Sequence, residues 1–132
     1  KGSHGGTYGA NPVTCAAASA TIDIIAKQLS SISFLSDYAK ELLEPLKAHN
    51  YIGDIRIEGL MIGIECVKDK TTQEPYSDMV ATILKQALEK KLIVLSCGIH
   101  NNVIRLAPPL IITKEELKQG LLILSEIIHD YY

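Results

Sequence analysis

No apolar run in this 132-residue chain approaches the roughly 20 residues a membrane-spanning helix needs. The first twelve residues are glycine-rich and polar, without the apolar stretch of a secretory leader, which reads as no signal peptide. An excess of one charge is also missing. The 13 Lys and Arg against 15 Asp and Glu leave a formal net charge of -2, with a pI near 6.1. That balance argues against nucleic acid or an anionic membrane as the main partner. Cysteine is sparse: Cys15, Cys66 and Cys97 lie far apart with no CxxC pair. Their odd number points to reduced thiols and a cytoplasmic home. His4, His49, His100 and His129 do not cluster with them as a zinc site would require. Neither a GK[ST] phosphate loop nor a GxGxxG fingerprint occurs. Arginine is rare, with only Arg56 and Arg105.

What is present makes one ordinary domain. Hydrophobic residues form 47% of the chain, enough for a core without disulfides or a structural metal. Residues 1–12 read as a glycine-rich loop. Asn11 is placed to cap a helix, with Pro12 at its first position where a missing N–H costs nothing. That helix is expected to run to about Lys27, with Val13, Ala17, Ala20, Ile24 and Ile25 near one face, packed against another element. Residues 33–49 read as a second helix, kinked or ended early by Pro45. Strands are expected at 54–57 and 60–67 around Gly59, then a polar loop KDKTTQEPYSD, then a helix over 78–91 capped by Ser77. In that helix Val80, Ile83, Leu84, Ala87 and Leu88 should face inward. Two short strands, 92–95 and 103–107, flank a turn in SCGIHNN. Thr113 and Glu116 form a T-x-x-E capping box for a last helix to about His129, with Leu117, Leu121, Leu124 and Ile128 apolar. The order α-α-β-β-α-β-β-α predicts an α+β sandwich, helices on a mostly antiparallel sheet.

Two places carry chemistry. Gly5, Gly6, Thr7 and Gly9 precede a helix start, where backbone N–H groups, a hydroxyl and the helix dipole suit a phosphate. The same residues also read as a plain flexible linker. Arg105, in NVIRLAPPL, should point opposite to Ile104 and Leu106, its guanidinium suited to bidentate capture of a carboxylate. An exposed or salt-bridged structural arginine is the competing reading.

Three separated segments give a specific resemblance. HGGTYGANPVTCAAASATIDII resembles the stretch of class III pyridoxal-phosphate-dependent aminotransferases that follows their Schiff-base lysine. GDIRIEGLMIGIE is similar to that family's G-x-[VI]-R-G-x-G-L-M-x-G-[IV]-E, with Ile57 where a glycine is usual, which puts the local backbone turn in doubt. LSCGIHNNVIRLAPPL resembles the substrate-arginine segment of the 4-aminobutyrate branch. The resemblance implies the small C-terminal domain of a fold-type I aminotransferase over residues 13–132, with residues 1–12 a cofactor-phosphate loop carried over from the large domain. It implies that Thr7, with Gly6, binds the phosphate of pyridoxal 5'-phosphate in the neighbouring subunit of a homodimer. It implies that Arg105 holds the α-carboxylate of glutamate or 2-oxoglutarate, the partners being amino acid and 2-oxo acid substrates. Arg56 and Glu65 read as structural.

By the family pattern the catalytic lysine is not among the eleven here, since Lys1 stands only six positions before Thr7. The chain therefore reads as a portion of a larger enzyme, inactive alone. Two other readings stay open. One is an ornithine, acetylornithine or broad ω-amino acid aminotransferase of the same family. The other is a non-catalytic dimeric α+β ligand-binding module, and a third, blander reading is a scaffold without a site.

Overall fold

In the computed structural model, Gly9 and residues 11–131 are described. Helix α1 spans Pro12–Leu43 and passes into a 3-10 turn, Glu44–Ala48. Strands β1 (Ile52–Glu58) and β2 (Met61–Cys66) form a hairpin, and α2 (Ser77–Glu89) follows. Strands β3 (Leu95–Cys97) and β4 (Val103–Leu106) then lead to α3 (Lys114–His129). The four strands form one sheet in the order β1-β2-β4-β3, and every pairing is antiparallel. The expected α+β fold is thus observed, in the expected element order apart from one merger.

That merger is the first helix pair. Residues 28–32 contain neither Gly nor Pro, so nothing breaks the backbone ladder and α1 runs through where two helices were expected. Asn11 caps it as expected, its side chain accepting the Val13 N–H at 2.9 Å. At the other end Pro45 removes a donor and crowds the preceding turn, and the α-helix stops at Leu43. Only the C-terminal third of α1 is buried, through Leu35, Ala39 and Leu43 at four-residue spacing, with Ser36 beside them. The expected packing of its N-terminal half is not seen among the described residues. Val13, Ile22 and Ile24 lie exposed there.

The core lies on one face of the sheet. β2 and β4 alternate, so Ile62, Ile64, Cys66 and Ile104 turn inward against α2 and α3. From α2 come Met79, Val80, Ile83 and Ala87. Leu88, expected inward, is 64% exposed one residue past the buried stripe. From α3 come Leu117, Leu121, Leu124 and Ile128, the face read from the sequence, with Ile127 beside them. The Thr113–Glu116 capping box is present in both directions. Ser77 is not the cap of α2. Tyr76 holds that position, without a side-chain bond. The third strand also begins later than expected. Lys91, at φ 62°, turns the chain out of α2, and residues 92–94 approach the sheet before pairing starts at Leu95. Gly59, at φ 59°, makes the β1–β2 turn that Ile57 had put in question, and Ile57 itself pairs with Ile62 inside β1 and β2.

Candidate substrate-binding face

The sheet's other face carries no helix among the described residues, and strand parity decides what it shows. On β4, Ile104 is fully buried and Arg105 is exposed. Arg105 stands in register with Gly63 on β2 and Leu95 on β3. Gly63 in turn registers with Arg56 on β1. The two arginines of the chain therefore flank a glycine in one row across the sheet.

Their electrostatics differ. Arg56 Nη1 donates to Asp54 Oδ2 at 2.9 Å and to Glu65 Oε2 at 2.5 Å. The Glu65 hydrogen bond foremost, with Asp54 adding to it, holds the Arg56 pKa above its ordinary value. Arg56 and Glu65, each read as structural from the sequence, are thus paired with one another, a contact the sequence had not indicated. The Arg105 guanidinium makes no hydrogen bond or ion pair among the described residues. An open trough of about 340 Å³ lies between them, lined by Arg56, Met61, Gly63, Cys97, Val103 and Arg105. Sequence reasoning had not singled out Gly63, Met61 or Val103. The period-two alternation of MIGIE was the available signal, because it puts Met61, Gly63 and Glu65 on the face opposite Ile62 and Ile64.

The start of β4 is anchored from inside. Asn101, at φ 52°, shares the turn with Gly98 at φ 84°. Asn102 is buried instead. Its Nδ2 donates to the Cys66 carbonyl at 3.1 Å, while the Cys66 N–H donates to the Asn102 carbonyl at 2.8 Å. This exchange fixes the strand three residues before Arg105. Burial, then the Glu65 charge, pushes the Cys66 thiol up to about 12, so that thiol is a core residue and no nucleophile.

Thr7 and Gly6 lie outside the described residues. At the start of α1, Asn11 occupies the Val13 N–H, and the first turn holds no acidic side chain. The positive end of the helix dipole thus has no carboxylate in its first turn to oppose an anion. A phosphate group fits this end of the helix in that respect.

A second cleft, of about 900 Å³, shares no residue with the Arg105 trough. It is lined by Leu46, His49, Tyr51, Ser125, His129 and Tyr131 among others. Tyr51, Tyr76 and Tyr131 meet edge-on beside it, with ring centroids 5.4–6.2 Å apart. Burial first, then His129 and Lys70, lowers the His49 pKa. The unfolded chain therefore takes up a proton at His49 at higher pH than the folded one. Stability should fall as pH drops through about 6.5 and the penalty should be complete below the folded pKa. His49→Asn should flatten this acid limb in thermal melts between about pH 7 and pH 5. Equal slopes for both proteins would refute it.

Known proteins resemble the chain along nearly its whole length. The family model for class-III aminotransferases matches residues 1–128. The 4-aminobutyrate aminotransferase of Mycobacterium leprae is 42% identical over 135 residues, covering 96% of this chain and 29% of that protein. The 5-aminovalerate aminotransferase of Pseudomonas aeruginosa is 38% identical over 132 residues, covering 98% of this chain and 31% of that protein. This chain thus spans under a third of the length of those relatives. Among solved structures, the adenosylmethionine-8-amino-7-oxononanoate aminotransferase of Methanocaldococcus jannaschii superposes with a TM-score of 0.81 at 36% identity. That superposition covers 97% of this chain and 30% of that one. On the family match and on relatives that cover nearly all of its length, the chain belongs to the class-III aminotransferase family.

Proposed function

We propose that this chain is the C-terminal portion of a pyridoxal-phosphate-dependent aminotransferase that moves an amino group from 4-aminobutyrate, or a similar ω-amino acid, to 2-oxoglutarate. Arg105 carries the reading. It is a guanidinium fork fixed on a strand, without a hydrogen-bond or ion-pair partner among the described residues, beside an open trough. The other arginine of the chain is already neutralised by two carboxylates. Arg105 binds the carboxylate next to the reacting carbon of glutamate or 2-oxoglutarate and so orients that carbon. Gly6 and Thr7 hold the cofactor phosphate of the neighbouring subunit in a homodimer, helped by the positive end of α1. Residues 1–12 thus serve the cofactor and residues 13–132 the substrate. When bound, pyridoxal phosphate supplies the electron sink that lets a proton leave the carbon bearing nitrogen. The lysine that anchors the cofactor belongs to the large domain, so the chain alone turns nothing over. The ω-amino acid donors named for two relatives support the choice of donor.

The test is a substrate panel on the full-length enzyme carrying this segment. 4-Aminobutyrate with 2-oxoglutarate should be turned over faster than ornithine or acetylornithine, and the reverse order would move the enzyme to the other branch. In the same protein, Thr7→Ala should weaken pyridoxal phosphate about tenfold, as loss of one charge-assisted hydrogen bond implies. An unchanged dissociation constant would remove Thr7 from the phosphate site.

A further inference from the structure

Gly63 is a strand-interior glycine that the domain itself does not need. Its φ is outside the left-handed region, unlike those of Gly59 and Gly98. A Cβ built on it would meet Val103 Cγ1 at 3.4 Å, the near edge of ordinary contact. Gly53 shows the contrast: a Cβ there would lie 2.8 Å from Val67 Cγ1, so packing alone requires that glycine. A glycine inside a strand costs about 0.5–1 kcal/mol relative to alanine. Where neither backbone conformation nor internal packing demands it, it marks close approach by a ligand or by another backbone.

Its place in the sheet favours the ligand. Gly63 registers with Arg105 on one side and with Arg56 on the other. Neighbouring strands are ~4.8 Å apart, so the two arginine columns stand ~9.6 Å apart with no side chain between them. Arg56, held by Asp54 and Glu65, closes the far wall of the trough. We infer that Gly63 is a specificity-determining residue, clearing the sheet face for the carbon chain of the carboxylate ligand held on Arg105. The inference rests on the carboxylate role of Arg105 proposed above.

Gly63→Ala and Gly63→Val in the full-length enzyme test it, with Arg105→Ala as the control. Gly63→Val should raise KM for 2-oxoglutarate about tenfold or more, the size of a typical overpacking cost, with Gly63→Ala between it and wild type. Thermal midpoints of both variants should be unchanged or higher, because both residues suit a strand better than glycine. A wild-type KM in both variants, with Arg105→Ala impaired, would overturn the inference and leave the Arg105 reading standing. A drop in melting temperature with equal loss for every substrate would overturn it in favour of a covering backbone. An Arg105→Ala enzyme that handles 2-oxoglutarate normally would sink the underlying reading and this inference with it.

Discussion

Arg105→Ala in the full-length enzyme is expected to raise KM for 2-oxoglutarate about 100-fold, equivalent to about 3 kcal/mol for a lost charge-assisted carboxylate pair. The effect should be one-sided. In 4-aminobutyrate the carbon that gives up nitrogen bears no carboxylate, so a group that grips the carboxylate beside the reacting carbon has nothing to hold. Single-turnover rates with 4-aminobutyrate should therefore stay near wild type while those with glutamate fall. Folding should be spared, because the side chain is exposed and makes no hydrogen bond or ion pair among the described residues. Arg105→Lys keeps the charge but not the planar fork, and should recover only part of the loss. Unchanged kinetics for 2-oxoglutarate would take Arg105 out of the site.

The second large effect concerns the core. Ile64 is fully buried on β2, the strand paired on both sides, between Ile55 of β1 and Ile104 of β4. Ile64→Ala should cost about 3 kcal/mol through lost burial and the cavity left behind. For a domain of this size that lowers the thermal midpoint by roughly 10 °C. Met61, three residues earlier and 65% exposed on the opposite face, gives the control. Met61→Ala should change stability by no more than about 0.5 kcal/mol. Similar losses from both would mean that the two faces of β2 are not divided as described.

Features set by neighbours in sequence could be read without the structure. The Asn11 and Thr113 caps, the stop at Pro45 and the buried stripe of α3 follow from contacts within one or two turns. The outward direction of Arg105 follows from strand parity alone. What escaped depends on distant partners. Whether residues 28–32 joined or divided two helices turned on the absence of a breaker, and polar Ser30 and Ser31 masked it. Tyr76 displaced Ser77 because its N–H bonds the Cys66 carbonyl at 3.0 Å, fixing the entry to α2 from the sheet side. Leu88 looked inward because it is apolar, but the core had already been filled by Val80, Ile83 and Ala87. For the binding face, the arginine was visible and its row was not. Gly63, Arg56 and Arg105 lie far apart in sequence, and only sheet register brings them into line.

The long first helix also acts as a ruler. At ~1.5 Å per residue, its Asn11 end stands ~32 Å from Ile32, and a Cβ built on Gly59 at the hairpin turn would lie 3.5 Å from the Ile32 side chain. Only four residues, ~13 Å of strand, separate that turn from the glycine beside Arg105. Within one polypeptide that helix keeps its Asn11 end at least ~11 Å from Gly63. The homodimer proposed above would let one small ligand meet both ends of that span, one end from each copy.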